Sequence, residues 1–345
     1  MLSYIHAYHA GNHADILKHL TLSLILEHLC KKEKPFTVID THAGSGIYSL
    51  DDERAQKTGE AASGIRKLMS NEELGVSNFE GEAASVVRNE ELGVRSFESG
   101  AERNLNPQIN TDSHRLCNDN FSHLCSALPS AARFFNLIQD YYSRGLYPGS
   151  PLIENAYLRQ GDEQILSELH PTAFEELKEC FYNRRKQCNS DGKIFVEPAL
   201  HKRNGYELLK AVTPPKIKRG LAVIDPSFED ASDFEKCGEV ISAVHKKWSA
   251  GIIALWYPLV AHRSAEISMM KEKIAGSVDS TEPKILDIQM EIKRKEDMTG
   301  LASLYGSGMF IVNFPYQLDE EMKKIMPELS KILGETANVW SVETR

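Results

Sequence analysis

Apolar and polar positions along the chain follow two periods. From Asn12 the apolar residues Ile16, Leu17, Leu20, Leu24 and Leu29 recur at helical spacing, with Asn12 placed to cap the helix. Lys31-Lys32-Glu33-Lys34-Pro35 closes it. Short apolar runs bounded by turn residues follow, and each reads as a strand: Phe36–Asp40, Gln164–Pro171, Lys193–Glu197, Gly220–Ile224, Gly251–Pro258, Lys284–Ile292 and Gly308–Pro315. Helical patterns lie between them at Ala131–Tyr142, after Gly205, over roughly 262–275 and from near Asp319. Leu146-Tyr147-Pro148-Gly149-Ser150-Pro151 reads as a rigid loop, and no element is assigned to the tail Val339-Trp340-Ser341-Val342. Strands alternating with helices predict an open, mostly parallel α/β sheet of seven strands.

Such sheets place their sites at the carboxyl ends of the strands. The run Gly220–Ile224 ends in Asp225-Pro226-Ser227-Phe228, where Pro226 stops ladder pairing and forces a turn. Phe36–Asp40 runs into Thr41-His42-Ala43-Gly44-Ser45-Gly46, a small-residue turn that lets backbone N–H groups approach a ligand. Its glycine spacing falls short of the dinucleotide fingerprint, which favours another adenosine ligand over a plain turn or an NAD-type site. Glu168, at the end of a third strand, is placed to accept both hydroxyls of a ribose, or to stand as an exposed acid.

Composition adds limits. The chain has 345 residues, 41% hydrophobic and 26% charged, with no apolar run long enough to span a membrane. Six cysteines without a C-x-x-C pair suggest reduced thiols inside the cell. A net charge of −9 argues against a nucleic-acid partner until its distribution is read, because residues 70–126 hold ten acids against four Lys or Arg. Clusters such as Arg184-Arg185-Lys186 and Lys293-Arg294-Lys295 remain to line a phosphate track. Within 70–126 the segment 71–80 recurs as 89–98, identical at eight of ten positions, and the stretch reads as a disordered surface insertion. His114, Cys117, His123 and Cys125 there imitate a zinc cluster but fit no standard finger, and His6, His9, His13 and His19 lack the companions of a metal helix, so no metal is expected.

Asp225-Pro226-Ser227-Phe228 resembles the D-P-P-Y motif of enzymes that methylate adenine N6, with Ser227 where a second proline is usual. Together with Met1–Tyr4, His9–Asp15, Lys18-His19, Asp40–Gly44, Thr58–Glu60, Tyr147–Pro151, Glu168–Pro171 and Leu255–Pro258, it makes the chain similar to the bacterial 23S ribosomal RNA adenine-N6 methyltransferases of the RlmJ type, formerly labelled proteins for catabolism of external DNA. The resemblance implies a single Rossmann-like class I methyltransferase domain over 1–345, with a helical subdomain inserted at 49–146. It implies S-adenosyl-L-methionine as cofactor, held by His19, His42, Ser150, Glu168, Asn204, Gly205 and Asp225. Asp225, Pro226 and Phe228 would be catalytic, and Tyr4 would touch the RNA. Asn204 stands where the family often has an acid. The expected partner is 23S rRNA, free or in an assembling large subunit, met by a cytoplasmic monomer. Two other readings stay open: a nucleic-acid-binding homologue impaired in catalysis, and a DNA adenine methyltransferase or a role in using external DNA.

Overall fold

A computed structural model describes residues 5–70, 124–125, 128–279, 282, 284–298 and 304–345. Asn12 caps helix α1 (His13–Cys30), its side chain accepting the Asp15 N–H at 2.9 Å and so satisfying a donor the first turn leaves unpaired. The chain then enters β1 (Thr37–Asp40). β2 (Ile47–Ser49) pairs antiparallel with β3 (Leu146–Pro148) as a separate ribbon. The described elements between them are helical: α2 (Glu53–Thr58), α3 (Ile65–Leu68) and α4 (Ala132–Tyr142), the last burying Phe134, Phe135, Ile138 and Tyr141. The Leu146–Pro151 segment is therefore a strand followed by the first turn of α5 (Ser150–Tyr157), where Pro151 lacks a donor the helix start could not use.

Then come β4 (Glu163–Ser167), α6 (Pro171–Ser190), β5 (Ala199–His201), α7 (Gly205–Val212), β6 (Gly220–Ile224), α8 (Ser232–Lys247), β7 (Ile252–Val260), α9 (Ser264–Ala275), β8 (Ile285–Glu291), β9 (Leu304–Val312), α10 (Leu318–Leu333) and β10 (Val339–Thr344). The main sheet runs β10-β8-β9-β7-β6-β1-β4-β5. β5, β4, β1, β6 and β7 are parallel neighbours; β9 lies antiparallel between β7 and β8, and β10 lies antiparallel outside β8. This is the expected Rossmann-like α/β sheet, with an eighth strand that the sequence pattern did not announce. β10 is half exposed at an edge, so its residues carry no buried run.

The Lys193–Glu197 strand does not form; the edge strand beside β4 is Ala199–His201 instead. Val196 gives its carbonyl to the Asn155 side chain at 2.9 Å, and Phe195 packs on Phe181, so the apolar residues there serve a loop. β6 is apolar throughout because both faces are covered, while β1 carries the buried polar residues Thr37 and Asp40 at its two ends. Leu221 and Val223 face α1, α4 and α10, while Ala222 and Ile224 face α7, α8 and α9. That sandwich fixes the strand ends, and the first cavity opens where β1, β4 and β6 stop.

Candidate active site

The loop after β1 is shaped by its glycines. Gly44 has φ +61°, and a Cβ there would meet the Tyr48 hydroxyl at 2.2 Å, the same oxygen that accepts the Ser45 N–H at 3.1 Å. Glu168, just past β4, takes the Gly44 N–H on Oε2 at 2.8 Å and the His170 N–H on Oε1 at 2.6 Å. The carboxylate expected to hold a ribose is thus fixed by backbone donors, with a second lone pair on each oxygen for a ligand. Asn204 caps α7, its Oδ1 accepting the Glu207 N–H at 3.2 Å, which leaves the amide N–H₂ to donate. At Gly205 a Cβ would meet the Thr41 carbonyl oxygen at 2.0 Å, so only glycine lets α7 start this close to the loop.

All seven residues expected at the cofactor come together: His19, His42, Ser150, Glu168, Asn204, Gly205 and Asp225 line one cavity of about 270 Å³. Two buried imidazoles supply polar atoms to it. His42 is lowered to about 4 by burial and is therefore neutral near pH 7. Thr41 gives its hydroxyl proton to the Val223 carbonyl at 3.0 Å, so His42 Nδ1 donates to Thr41 Oγ1 at 2.8 Å and Nε2 is left as an acceptor. His19 is pushed well below the usual range by burial, then by Lys18. Its Nδ1 pairs with the Tyr147 hydroxyl at 2.8 Å, while its buried Nε2 has no partner among the described residues. An orphaned imidazole nitrogen, a fixed carboxylate and a free amide fit a ligand with an amino-acid end and an adenosine end. Ser150 lines the cavity, yet its hydroxyl turns to Asp40 Oδ2 at 2.7 Å.

Asp225 and its neighbours form the far wall. Pro226 lines the first cavity; Phe228 lines a second of about 500 Å³, where it packs on Phe234 at 4.6 Å and on Trp256 at 6.0 Å between ring centroids. Phe228 sits at φ +52°, a left-handed conformation unusual for a bulky side chain, which turns its ring into that cavity wall. The two cavities share Asp225 and Lys18.

Lys18 is the residue sequence reasoning passed over. It is 4% exposed and donates to Asp225 Oδ2 at 2.5 Å and to Asp15 Oδ1 at 2.8 Å. Burial alone would lower it, but the two carboxylates outweigh burial and hold it well above the ordinary lysine range. Asp15 is completed by His6 Nε2 at 3.0 Å and the Gly11 N–H at 2.8 Å. The available signal was an ionic pair, Asp15 and Lys18, on the otherwise apolar face of α1. Tyr4 lies outside the described residues, as do His114, Cys117 and His123 of the imitated zinc cluster. Among the described residues no group of three His, Cys, Asp or Glu is placed to hold a metal; His6 and His9 are engaged by Asp15 and Glu60.

Comparison with known proteins adds a lineage to this geometry. The family model described as "Ribosomal RNA large subunit methyltransferase D, RlmJ" matches residues 33–81 and 126–345. The chain is 32% identical to ribosomal RNA large subunit methyltransferase J of Escherichia coli over 95% of its length and 93% of that protein's. It is equally 32% identical to the protein of that name from Haemophilus influenzae, over 99% and 98%. The crystal structure of protein LPL1258 from Legionella pneumophila shares the fold, with a TM-score of 0.69, 24% identity and coverage of 97% and 98%.

Proposed function

The chain belongs to the RlmJ family of ribosomal RNA large subunit methyltransferases, and from that premise we propose that it transfers a methyl group from S-adenosyl-L-methionine to N6 of a specific adenine in 23S rRNA. The observation that carries this reading is the pair of cavities meeting at Asp225 and Lys18. The first holds the cofactor, with Glu168 toward the ribose, Asn204 toward the adenine and His19 and His42 on the remaining polar edges. The second takes the target base, unstacked from its RNA and held against Phe228 and Trp256.

Bound S-adenosylmethionine supplies an electrophilic methyl on sulfur. The amine it must meet is a poor nucleophile, because the N6 lone pair is delocalised into the purine ring. Asp225 Oδ1 and the Pro226 carbonyl accept the two N–H groups, which favours a pyramidal nitrogen with its lone pair toward the methyl. Lys18, tied to Oδ2 at 2.5 Å, fixes the rotation of that carboxylate. As positive charge develops on nitrogen, Asp225 stabilises it and takes the departing proton. Ser227 leaves the motif's backbone carbonyls in place while giving up proline's fixed φ, so activity should survive this departure.

The test is transfer of labelled methyl to unmodified 23S rRNA, with duplex DNA alongside and the product nucleoside identified. Wild type should yield N6-methyladenosine in the RNA, and Asp225→Ala should lower the rate by roughly 10²–10³-fold. An unchanged rate in Asp225→Ala sinks the assigned role. Cofactor binding without transfer supports the catalytically impaired reading, and transfer to duplex DNA alone supports the DNA enzyme.

A further inference from the structure

We propose that Glu154 is a positioning residue for the first cavity: as a neutral carboxylic acid it donates a hydrogen bond to Asp40 and so holds the loop that follows β1. The proposal rests on reading that cavity as the cofactor site. Asp40 ends β1 and is fully buried, and both its oxygens are engaged. Oδ1 accepts the His42 N–H at 3.0 Å, and Oδ2 accepts the Ser150 hydroxyl at 2.7 Å. His42 and Ser150 both line one cavity, so this carboxylate joins the loop to the start of α5.

Glu154 lies one turn further along α5, on the same face as Ser150, and is also fully buried. Its hydrogen-bond partners show which oxygen is left to face Asp40. Asn155 gives its amide N–H to Gln164 Oε1 at 3.1 Å, which fixes the orientation of the Gln164 amide. Gln164 Nε2 must therefore donate, to the Pro151 carbonyl at 2.9 Å and to Glu154 Oε2 at 2.9 Å. Glu154 Oε2 is an acceptor. The remaining oxygen, Oε1, is buried without a donor among the described residues, and Ser150, one turn back on the same helix face, contacts Asp40, which brings the two buried carboxyls side by side. Two carboxylates cannot share such a contact unless one is protonated; Asp40 takes a donor on each oxygen as a carboxylate does, whereas Oε1 has none, so the proton belongs on Oε1, which donates to Asp40.

The surroundings agree. Burial first, and the Asp40 charge second, push Glu154 well above the carboxylate range. Asp40, raised to about 6 mainly by burial, keeps its charge near pH 7 with help from Ser150, the His42 N–H and, from α1, Lys18, against the opposing charge of Asp225 beyond β6. Facing the pair from β4 is the uncharged Gln164, and His42 on the loop is neutral.

Two variants and one spectrum decide the matter. Glu154→Gln keeps the pattern, since its carbonyl can accept from Gln164 and its N–H₂ can donate to Asp40. Glu154→Leu removes the donor and leaves Asp40 short of a partner. At neutral pH, infrared difference spectra should show the carbonyl band of a protonated carboxylic acid in wild type that is missing from Glu154→Gln. In titration calorimetry with S-adenosylmethionine, Glu154→Gln should bind within about twofold of wild type. Glu154→Leu should bind roughly tenfold more weakly while melting within a few degrees of wild type. Absence of the acid band overturns the proposal, as does a leucine variant that binds as tightly as wild type or a glutamine variant that binds as weakly as leucine. If the leucine variant does not fold, the band and the glutamine affinity still decide. Wild type that shows the band yet binds no S-adenosylmethionine removes the positioning role through failure of the cofactor reading, an outcome distinct from a missing acid.

Discussion

Asp225 is held by Lys18, a residue 207 positions earlier in the chain. Neither side chain has meaning for the site alone: a lysine on an apolar helix face is a liability, and a carboxylate after a strand is a turn residue. Packed together with Asp15, they become a buried ionic arrangement at the wall between two cavities. Buried imidazoles near them leave a measurable trace. His13 and His42 are each lowered to about 4 by burial, against about 6.5 in the unfolded chain. Their contribution to stability is complete above about pH 6.5 and is lost as pH falls toward 4, because the unfolded chain then binds the extra protons. Asp40, raised to about 6, and Glu154, raised well above the carboxylate range by burial, work the other way over the acid part of that window, while His19, also lowered by burial, adds to the loss. Urea midpoints should therefore drop between about pH 7 and about pH 5. His13→Leu should shrink that drop by about 2 kcal/mol; an acid limb as steep as wild type's would show that His13 does not titrate in unfolding.

Among the elements, β10 shows how a weakly patterned segment is held. Its last residue's neighbour, Arg345, reaches Asp287 Oδ2 on β8 at 3.2 Å. The same carboxylate takes Lys271 Nζ at 2.9 Å and the Tyr257 hydroxyl at 2.7 Å. Lys271 and Asp287 are 5% and 1% exposed, so removing one strands the other in the interior. Asp287→Ala should cost about 3–5 kcal/mol, whereas replacing the pair together, Lys271→Met with Asp287→Leu, should cost far less. Chemical denaturation of both proteins checks this, and equal losses would mean that packing rather than charge sets the cost. The same reasoning explains the misplaced strand at Lys193–Glu197: its apolar residues are spent on Phe181 and Asn155, contacts that no local pattern encodes.

For the whole molecule, the sheet order carries the strand ends of β1, β4 and β6 to one edge, and α1 closes that edge from one face. The family match passes over residues 82–125, which include the second copy of the repeat. A chain lacking 82–123, which keeps the buried Leu124, should stay soluble, melt within a few degrees of the full chain and bind S-adenosylmethionine equally well. Loss of soluble protein on deletion would make the segment part of the folding unit.

Much of this was legible along the chain. The apolar runs at Phe36–Asp40, Gly220–Ile224 and Gly251–Pro258 became β1, β6 and β7 because a strand buried on both faces is mostly apolar, with polar residues such as Asp40 kept to its end. The Asn12 cap and the Asp225 turn were equally readable, since caps and proline turns act over a few residues. Edge strands β5 and β10 were not, because partial exposure erases the pattern that buried strands carry. The polar contacts of the site were also out of reach. That Ser150 turns to Asp40, that Glu168 is fixed by Gly44 and His170, and that Glu154 meets Asp40 depend on which segments the sheet brings side by side. Local chemistry names the groups able to bind a ligand. Their mutual distances, and hence their protonation, arise only when distant segments pack and water is excluded.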